Sequence, residues 1–138
     1  METIRFGRTD MQVSRTAFGA LPIQRVDMDT ARTILRRAYE GGINFYDTAR
    51  GYSDSEAKIA YALGDVRDEI FIATKASGAR DRDAVLRCTK TSLEVLQTDH
   101  VDLLQLHNPP TWPDPDDPQS AYAGLLEAQR AGMTRYIG

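Results

Sequence analysis

The sequence predicts an α/β protein of the parallel (β/α)8 TIM-barrel type, present as its first half behind a small N-terminal β-hairpin. Three observations predict this. Short, mostly apolar strand-like runs alternate with helical stretches of about ten to fifteen residues, the pattern of βαβ units and a parallel sheet. The runs are too uniformly apolar for a sheet with one wet face, and suit strands covered on both sides. Three successive runs also end in ionisable groups, at Asp47, Lys75 and His107. A doubly wound open sheet is the competing architecture. It often carries a glycine-rich turn after its first strand, and no G-x-G-x-x-G or P-loop spacing occurs here. A barrel instead gathers functional groups at the carboxyl ends of several strands, which is what the chain offers.

In order, two short runs, Thr3 to Phe6 and Met11 to Ser14, flank Gly7-Arg8-Thr9-Asp10 and predict a hairpin over about 3–14. Arg15 to Leu21 reads as a short first barrel strand that Pro22 helps to end. Gly19 within it is either punctuation or a point where a ligand approaches the backbone. A helix follows, capped by Asp27 or Asp29. Ala31, Ile34, Leu35, Ala38 and Tyr39 lie on its inner face, and Gly41-Gly42 ends it.

Asn44 to Asp47 is the second strand. Ser53 to Ser55 can cap a second helix to about Leu63, with Ile59, Ala60 and Leu63 inward. Glu69 to Thr74 is the third strand and runs into Lys75. Asp81 or Asp83 starts a third helix to about Leu96, with Val85, Leu86, Leu93 and Leu96 buried. Val101 to Leu106 delivers His107, and a loop rich in Pro and Asp follows through Pro118. Gln119 to Arg130 is a fourth helix with Tyr122, Leu125 and Leu126 inward, and Thr134 to Gly138 starts a fifth strand. The whole of 1–138 therefore reads as a single incomplete barrel domain, with βα units over about 15–133 and strand 5 over about 134–138.

Composition narrows the function classes. A net charge of −3 with dispersed basic residues disfavours nucleic acid. No apolar run approaches a membrane span, and the N-terminus lacks a signal-peptide core. The single cysteine, Cys88, excludes an internal disulfide or a cysteine-based metal cluster and fits a cytoplasmic protein. Asp54-Ser55-Glu56 reads as a helix start, and no metal is expected.

Asp47, Lys75 and His107, with Tyr52 in the loop beyond Asp47, suit carbonyl reduction by hydride transfer. The reaction leaves negative charge on an oxygen that must then take a proton. A free phenol, with a pKa near ~10, is a poor acid at neutrality, and a neighbouring ammonium favours the phenolate. Lys75 can supply that charge to Tyr52. Asp47 keeps Lys75 charged and oriented, and His107 can hydrogen-bond the substrate oxygen.

At these residues a resemblance is plain. Phe6-Gly7-Arg8-Thr9 with Val13-Ser14, Phe18-Gly19-Ala20, Asn44 to Ala49 with Gly51-Tyr52 and Ser55-Glu56, Ile72 to Lys75, and Asp99 to Pro109 stand in one order. Together they resemble the N-terminal half of an aldo-keto reductase, with wording around Ala49 to Tyr52 similar to a bacterial subgroup. The resemblance implies a (β/α)8 barrel that binds NADPH, less often NADH, and reduces aldehydes or ketones. It implies Tyr52 as proton donor, Lys75 and Asp47 as its tuning pair, and His107 as the group that orients the carbonyl. Gly19, Ala20 and Asp47 are implied to lie close to the cofactor.

The family continues past its fifth strand with a Ser-Asn pair for the nicotinamide amide, an aromatic that stacks on its ring and a basic loop for the adenosine phosphates. The sequence ends before these, so the expectation is a fragment that is inactive alone. The alternative is a non-enzymatic half-barrel that assembles with itself or with a separate C-terminal half. For an enzyme, the Pro/Asp loop from Pro109 to Pro118, with Trp112, is the one candidate for a substrate-facing wall, the alternative being an exposed tryptophan on a surface loop.

Overall fold

Gly7, at φ +57°, makes the turn between the first two strands, and in the computed structural model, which describes Met1 to Gly138, they pair antiparallel. They are β1 (Thr3–Arg5) and β2 (Gln12–Ser14), the expected hairpin. Five further strands form one parallel sheet: β3 (Phe18–Gly19), β4 (Phe45–Asp47), β5 (Phe71–Ser77), β6 (Val101–His107) and β7 (Thr134–Ile137). They lie in sequence order, so β4, β5 and β6 each pair with the strands before and after them and β3 and β7 form the edges. A doubly wound sheet reverses its strand order at a switch point. This sheet never reverses, which is the progression of a barrel wall.

Four helices cross back between strands: α1 (Met28–Glu40), α2 (Ser55–Leu63), α3 (Arg82–Leu96) and α4 (Ala121–Arg130). Asp27, Asp81 and Ser120 cap α1, α3 and α4 by accepting the amide protons of Thr30, Ala84 and Ala123. The α2 start is different. Asp54 occupies the cap position without a capping bond and pairs with Lys58, while the Ser55 hydroxyl turns inward.

The main core lies between sheet and helices, with Leu35, Tyr46, Ile59, Ile72, Val85, Leu104 and Leu125 all buried. The inner faces are less apolar than their periodicity suggests. On α3 the buried stripe is Val85, Thr89, Ser92 and Leu96, and Leu86 and Leu93 are only half-buried. The start of α3 also makes a tight contact with α4. A Cβ on Gly124 would stand 2.7 Å from the Arg82 carbonyl oxygen, and Thr89 returns its hydroxyl proton to the Val85 carbonyl. Ile34 of α1 is exposed, and Ala60, Tyr122 and Leu126 are half-buried.

A second, smaller core seals the end of the sheet where the strands begin. Met11 and Val13 of the hairpin pack on Phe45, Ala73 and Leu103, and the Phe6 and Phe45 rings lie 5.2 Å apart. Beside it runs a chain of ion pairs. Asp10 accepts from Arg135 and Tyr136, and Arg135 also donates to buried Asp102. Asp102 accepts further from Arg67 and from the Ile72 amide. This end of the sheet is thus covered, and the opposite end is where β4, β5 and β6 finish.

Candidate active site

The expected strands differ from the observed ones in two ways that shape the site. The first barrel strand shrinks from Arg15–Leu21 to Phe18–Gly19. The third is shifted along the chain: Glu69 lies in a 3-10 turn (Gly64–Glu69), Ile70 follows it, and β5 runs on to Ser77. Lys75 therefore sits inside β5, in register with Gln105, and Ser77 is in register with His107. Side chains two residues apart share a face of a strand, so Lys75 and Ser77 point the same way, as do Gln105 and His107.

Asp47 and Lys75 meet closely. Lys75 Nζ donates to Asp47 Oδ1 at 2.9 Å, to Asp47 Oδ2 at 2.7 Å and to the Thr48 carbonyl at 2.7 Å. An ammonium has three protons, so these bonds use them all. Lys75 thus acts on its surroundings by charge. Its Nζ lies 5.1 Å from the centroid of the Tyr52 ring, within cation–π range. Tyr52 in turn meets His107 edge to face, with ring centroids 5.4 Å apart and planes at 84°. Asp47, Tyr52, Lys75 and His107 thus converge on one rim.

The loop that carries Tyr52 is built as a continuation of the sheet. The Thr48 amide donates to the Ala73 carbonyl at 2.8 Å and the Arg50 amide to the Lys75 carbonyl at 3.1 Å. The Gly51 amide then donates to Ser77 Oγ at 2.9 Å. A side chain on Gly51 would collide with Ser77, whose Oγ lies 2.8 Å from the Cβ position. Ser53 then takes a positive φ of 48° and turns the chain into α2.

Beneath the loop lies a buried charge that sequence reasoning missed. Glu56, in the helix start the sequence predicts, is fully buried. It accepts the Thr74 hydroxyl at 2.7 Å and pairs with the guanidinium of Arg50, whose Nη1 is 2.5 Å from its Oε2. Arg50 also donates to the Ser53 carbonyl, so the pair clamps both ends of the Tyr52 turn. Ser77 was missed as well. Its hydroxyl stands 2.7 Å from His107 Nδ1. The sequence signal for Ser77 is its position two residues beyond Lys75, and for Glu56 its place at the second position of α2, within the Ser55-Glu56 motif.

Gly19 is exposed, in register with Asp47, and a Cβ there would meet nothing within 4 Å. Ala20 is fully buried. Its amide donates to the Asp47 carbonyl and its own carbonyl accepts from Ser55, so Ala20 stands behind the rim with both backbone groups engaged. An apolar groove of about 670 Å³ is lined by Leu106, Pro109, Trp112, Tyr122, Leu125 and Ile137 among others. None of the four rim residues lines it. Leu106 faces the helices while His107 faces the rim, so Trp112, which is 95% exposed, borders a separate apolar surface.

The family model that matches this chain is that of the aldo/keto reductase family, over residues 13–138. The chain belongs to this family. It is 37% identical over 129 residues to the methylglyoxal reductase DkgB of Escherichia coli O157:H7, covering 88% of this chain and 46% of that protein. It is 29% identical to the uncharacterized oxidoreductase YqkF of Bacillus subtilis (strain 168), over all of this chain and 48% of that protein. The holo form of the aldo-keto reductase AKR11C1 from Bacillus halodurans superposes with a TM-score of 0.85 at 31% identity, over 100% of this chain and 49% of its own. The chain thus spans about half the length of the curated relatives it matches, and its parallel sheet with an antiparallel hairpin is part of the aldo-keto reductase barrel.

No helix is long and apolar enough to cross a membrane. No group of three His, Cys, Asp or Glu side chains is placed to hold a metal.

Proposed function

We propose that this chain carries the proton-delivery half of an NAD(P)H-dependent reductase of aldehydes or ketones, NADPH being favoured over NADH. The observation that supports it is the convergence of Tyr52, the Lys75–Asp47 pair and His107 from three different segments on one rim. When bound, the reduced nicotinamide supplies a hydride to the carbonyl carbon. The chain's own residues handle the oxygen. His107 hydrogen-bonds it, and Tyr52 O–H donates the proton as negative charge grows there. The phenolate left on Tyr52 lies close to the Lys75 charge, which Asp47 and the Thr48 carbonyl hold in place.

The residues present fit one end of such a cofactor. Gly19 leaves open space beside Asp47, whose side chain keeps 35% of its exposure. The two cations nearest the rim are already paired, Lys75 with Asp47 and Arg50 with Glu56. We therefore assign the grip on the cofactor phosphates to the further length that the relatives possess. A carbonyl compound is the partner this reading requires, in a cytoplasmic setting.

The test grafts residues 1–138 onto the remaining half of a DkgB-type relative and follows NADPH oxidation with methylglyoxal and with nitrobenzaldehyde. We expect turnover that Tyr52→Phe abolishes, and none from the 138-residue chain alone. A folded graft whose activity ignores Tyr52→Phe would sink the assignment. Ready turnover by the chain alone would overturn the division of labour.

A second reading rests on the apolar groove between α4, β7 and the Pro/Asp loop: a non-enzymatic half-barrel that pairs with itself or with a separate C-terminal half. Light scattering tests it. A well-folded dimer supports this reading, and a monomer at all concentrations tells against self-pairing.

A further inference from the structure

We propose that Ser77 is a positioning residue that fixes His107 in the tautomer with its proton on Nε2. The argument is a count of protons and lone pairs. A serine hydroxyl has one proton to give and two lone pairs to receive. The Gly51 amide fills one lone pair at 2.9 Å. The hydroxyl proton then has two places to go: His107 Nδ1 at 2.7 Å, or the Lys75 carbonyl at 3.5 Å. The second is long for an O–H···O bond, and the first is at the ideal length.

If His107 carried its proton on Nδ1, Ser77 would receive two protons and leave its own without a sound partner. If Nδ1 is bare, every group is satisfied: the Gly51 amide donates to Ser77, and Ser77 donates to His107. The neutral ring then keeps its one proton on Nε2. That nitrogen becomes a donor, which is what a developing oxyanion needs. A ring in the other tautomer would turn a lone pair toward the same oxygen. The consequence for catalysis rests on the reading above; the tautomer itself does not.

The same chain supplies an internal contrast. His100 Nδ1 lies 2.6 Å from Asp99 Oδ1. An ionised carboxylate only accepts, and the hydrogen bond from His100 holds the Asp99 carboxyl below its ordinary range. His100 therefore carries a proton on Nδ1. The chain has two histidines, and their tautomers are opposite.

Long-range proton–nitrogen correlation NMR at about pH 8, above the ordinary histidine value of about 6.5, reads this directly. We expect His107 with Nε2 protonated and Nδ1 bare, and His100 with a protonated Nδ1. Ser77→Ala should move both His107 nitrogens toward the averaged shifts of an unrestrained ring and leave His100 unchanged. Ser77→Thr, which keeps the hydroxyl, should restore the wild-type pattern. A wild-type His107 protonated at Nδ1 overturns the proposal, with or without a folded variant. So does a Ser77→Ala spectrum identical to wild type.

In the active graft, Ser77→Ala should cost about tenfold in kcat, the worth of one neutral hydrogen bond, and Ser77→Thr should recover it. A correct tautomer in a graft without reductase activity would refute the proposed function and leave the role of Ser77 standing.

Discussion

Glu56 offers the sharpest test of how the Tyr52 loop is held. Glu56→Gln keeps the shape and the acceptor for Thr74 and removes only the charge. Arg50, with 24% of its side chain exposed, then loses its counter-ion in a largely dry site. Breaking a buried pair by removing one partner costs about 3–5 kcal/mol. Because a quarter of Arg50 still meets solvent, the lower end applies, and we expect about 3 kcal/mol. With a urea slope of about 1.5 kcal/mol per M, the unfolding midpoint should fall by about 2 M.

Replacing both partners, as in Glu56→Met with Arg50→Met, removes the orphaned charge along with its mate. The double variant should lose only about 1–2 kcal/mol, mostly for the Thr74 hydroxyl left without an acceptor. Urea unfolding of the wild type, Glu56→Met, Arg50→Met and the double variant measures the coupling. A loss below 1 kcal/mol for Glu56→Gln, or a double variant as unstable as the sum of its singles, would refute this account of the clamp.

Three further outcomes are expected. Tyr52→Phe should leave the urea midpoint unchanged, since its ring packing is kept, and lower kcat of the graft at least about 10²-fold; an equal loss of stability would point to a structural tyrosine. Gly124→Ala would gain helix propensity in open solvent, but its Cβ would fall 2.7 Å from the Arg82 carbonyl oxygen and 2.8 Å from Val85 Cβ. It should therefore destabilise by about 1–3 kcal/mol, and a thermal melt at or above the wild-type value would contradict the tight α3–α4 contact. Burial pushes the Tyr46 phenol well above its ordinary value. Its contribution to stability is whole below the unfolded value of about 10 and is lost as pH rises above it toward the folded one. Tyr46→Phe should flatten that alkaline fall, as read by urea midpoints between about pH 9 and 11.

The parts of this molecule that follow from local chemistry were legible in the sequence. Asp27 and Asp81 announce their helices because a capping carboxylate acts within three residues. Asp47, Lys75 and His107 announce a rim because a parallel sheet lines up successive strand ends. What escaped depends on partners far along the chain. Glu56 looks like an ordinary first-turn acid until Arg50 and Thr74 close over it. Ser77 looks like a loop residue because the apolar run stops at Thr74-Lys75 and Gly78 follows, which resembles the end of a strand. The first strand was overdrawn for the opposite reason: Arg15 to Leu21 has strand-forming residues, but only Phe18 and Gly19 find a neighbour in β4. On α3, Thr89 and Ser92 broke the apolar stripe by being buried although polar, Thr89 satisfying its hydroxyl on the Val85 carbonyl one turn back.

The pairing of Asp10 with Arg135 spans 125 residues and joins almost the first turn of the chain to its last strand. Closing such a loop in a single step would cost about 4 kcal/mol in chain entropy, before any constant term. The sheet avoids that by growing one neighbour at a time, each new strand docking on the one just made. The hairpin is made first during synthesis and can settle early on Phe45, yet its polar latch stays open until residue 135 arrives. The latch therefore ties the hairpin to β7 across all the strands that lie between them.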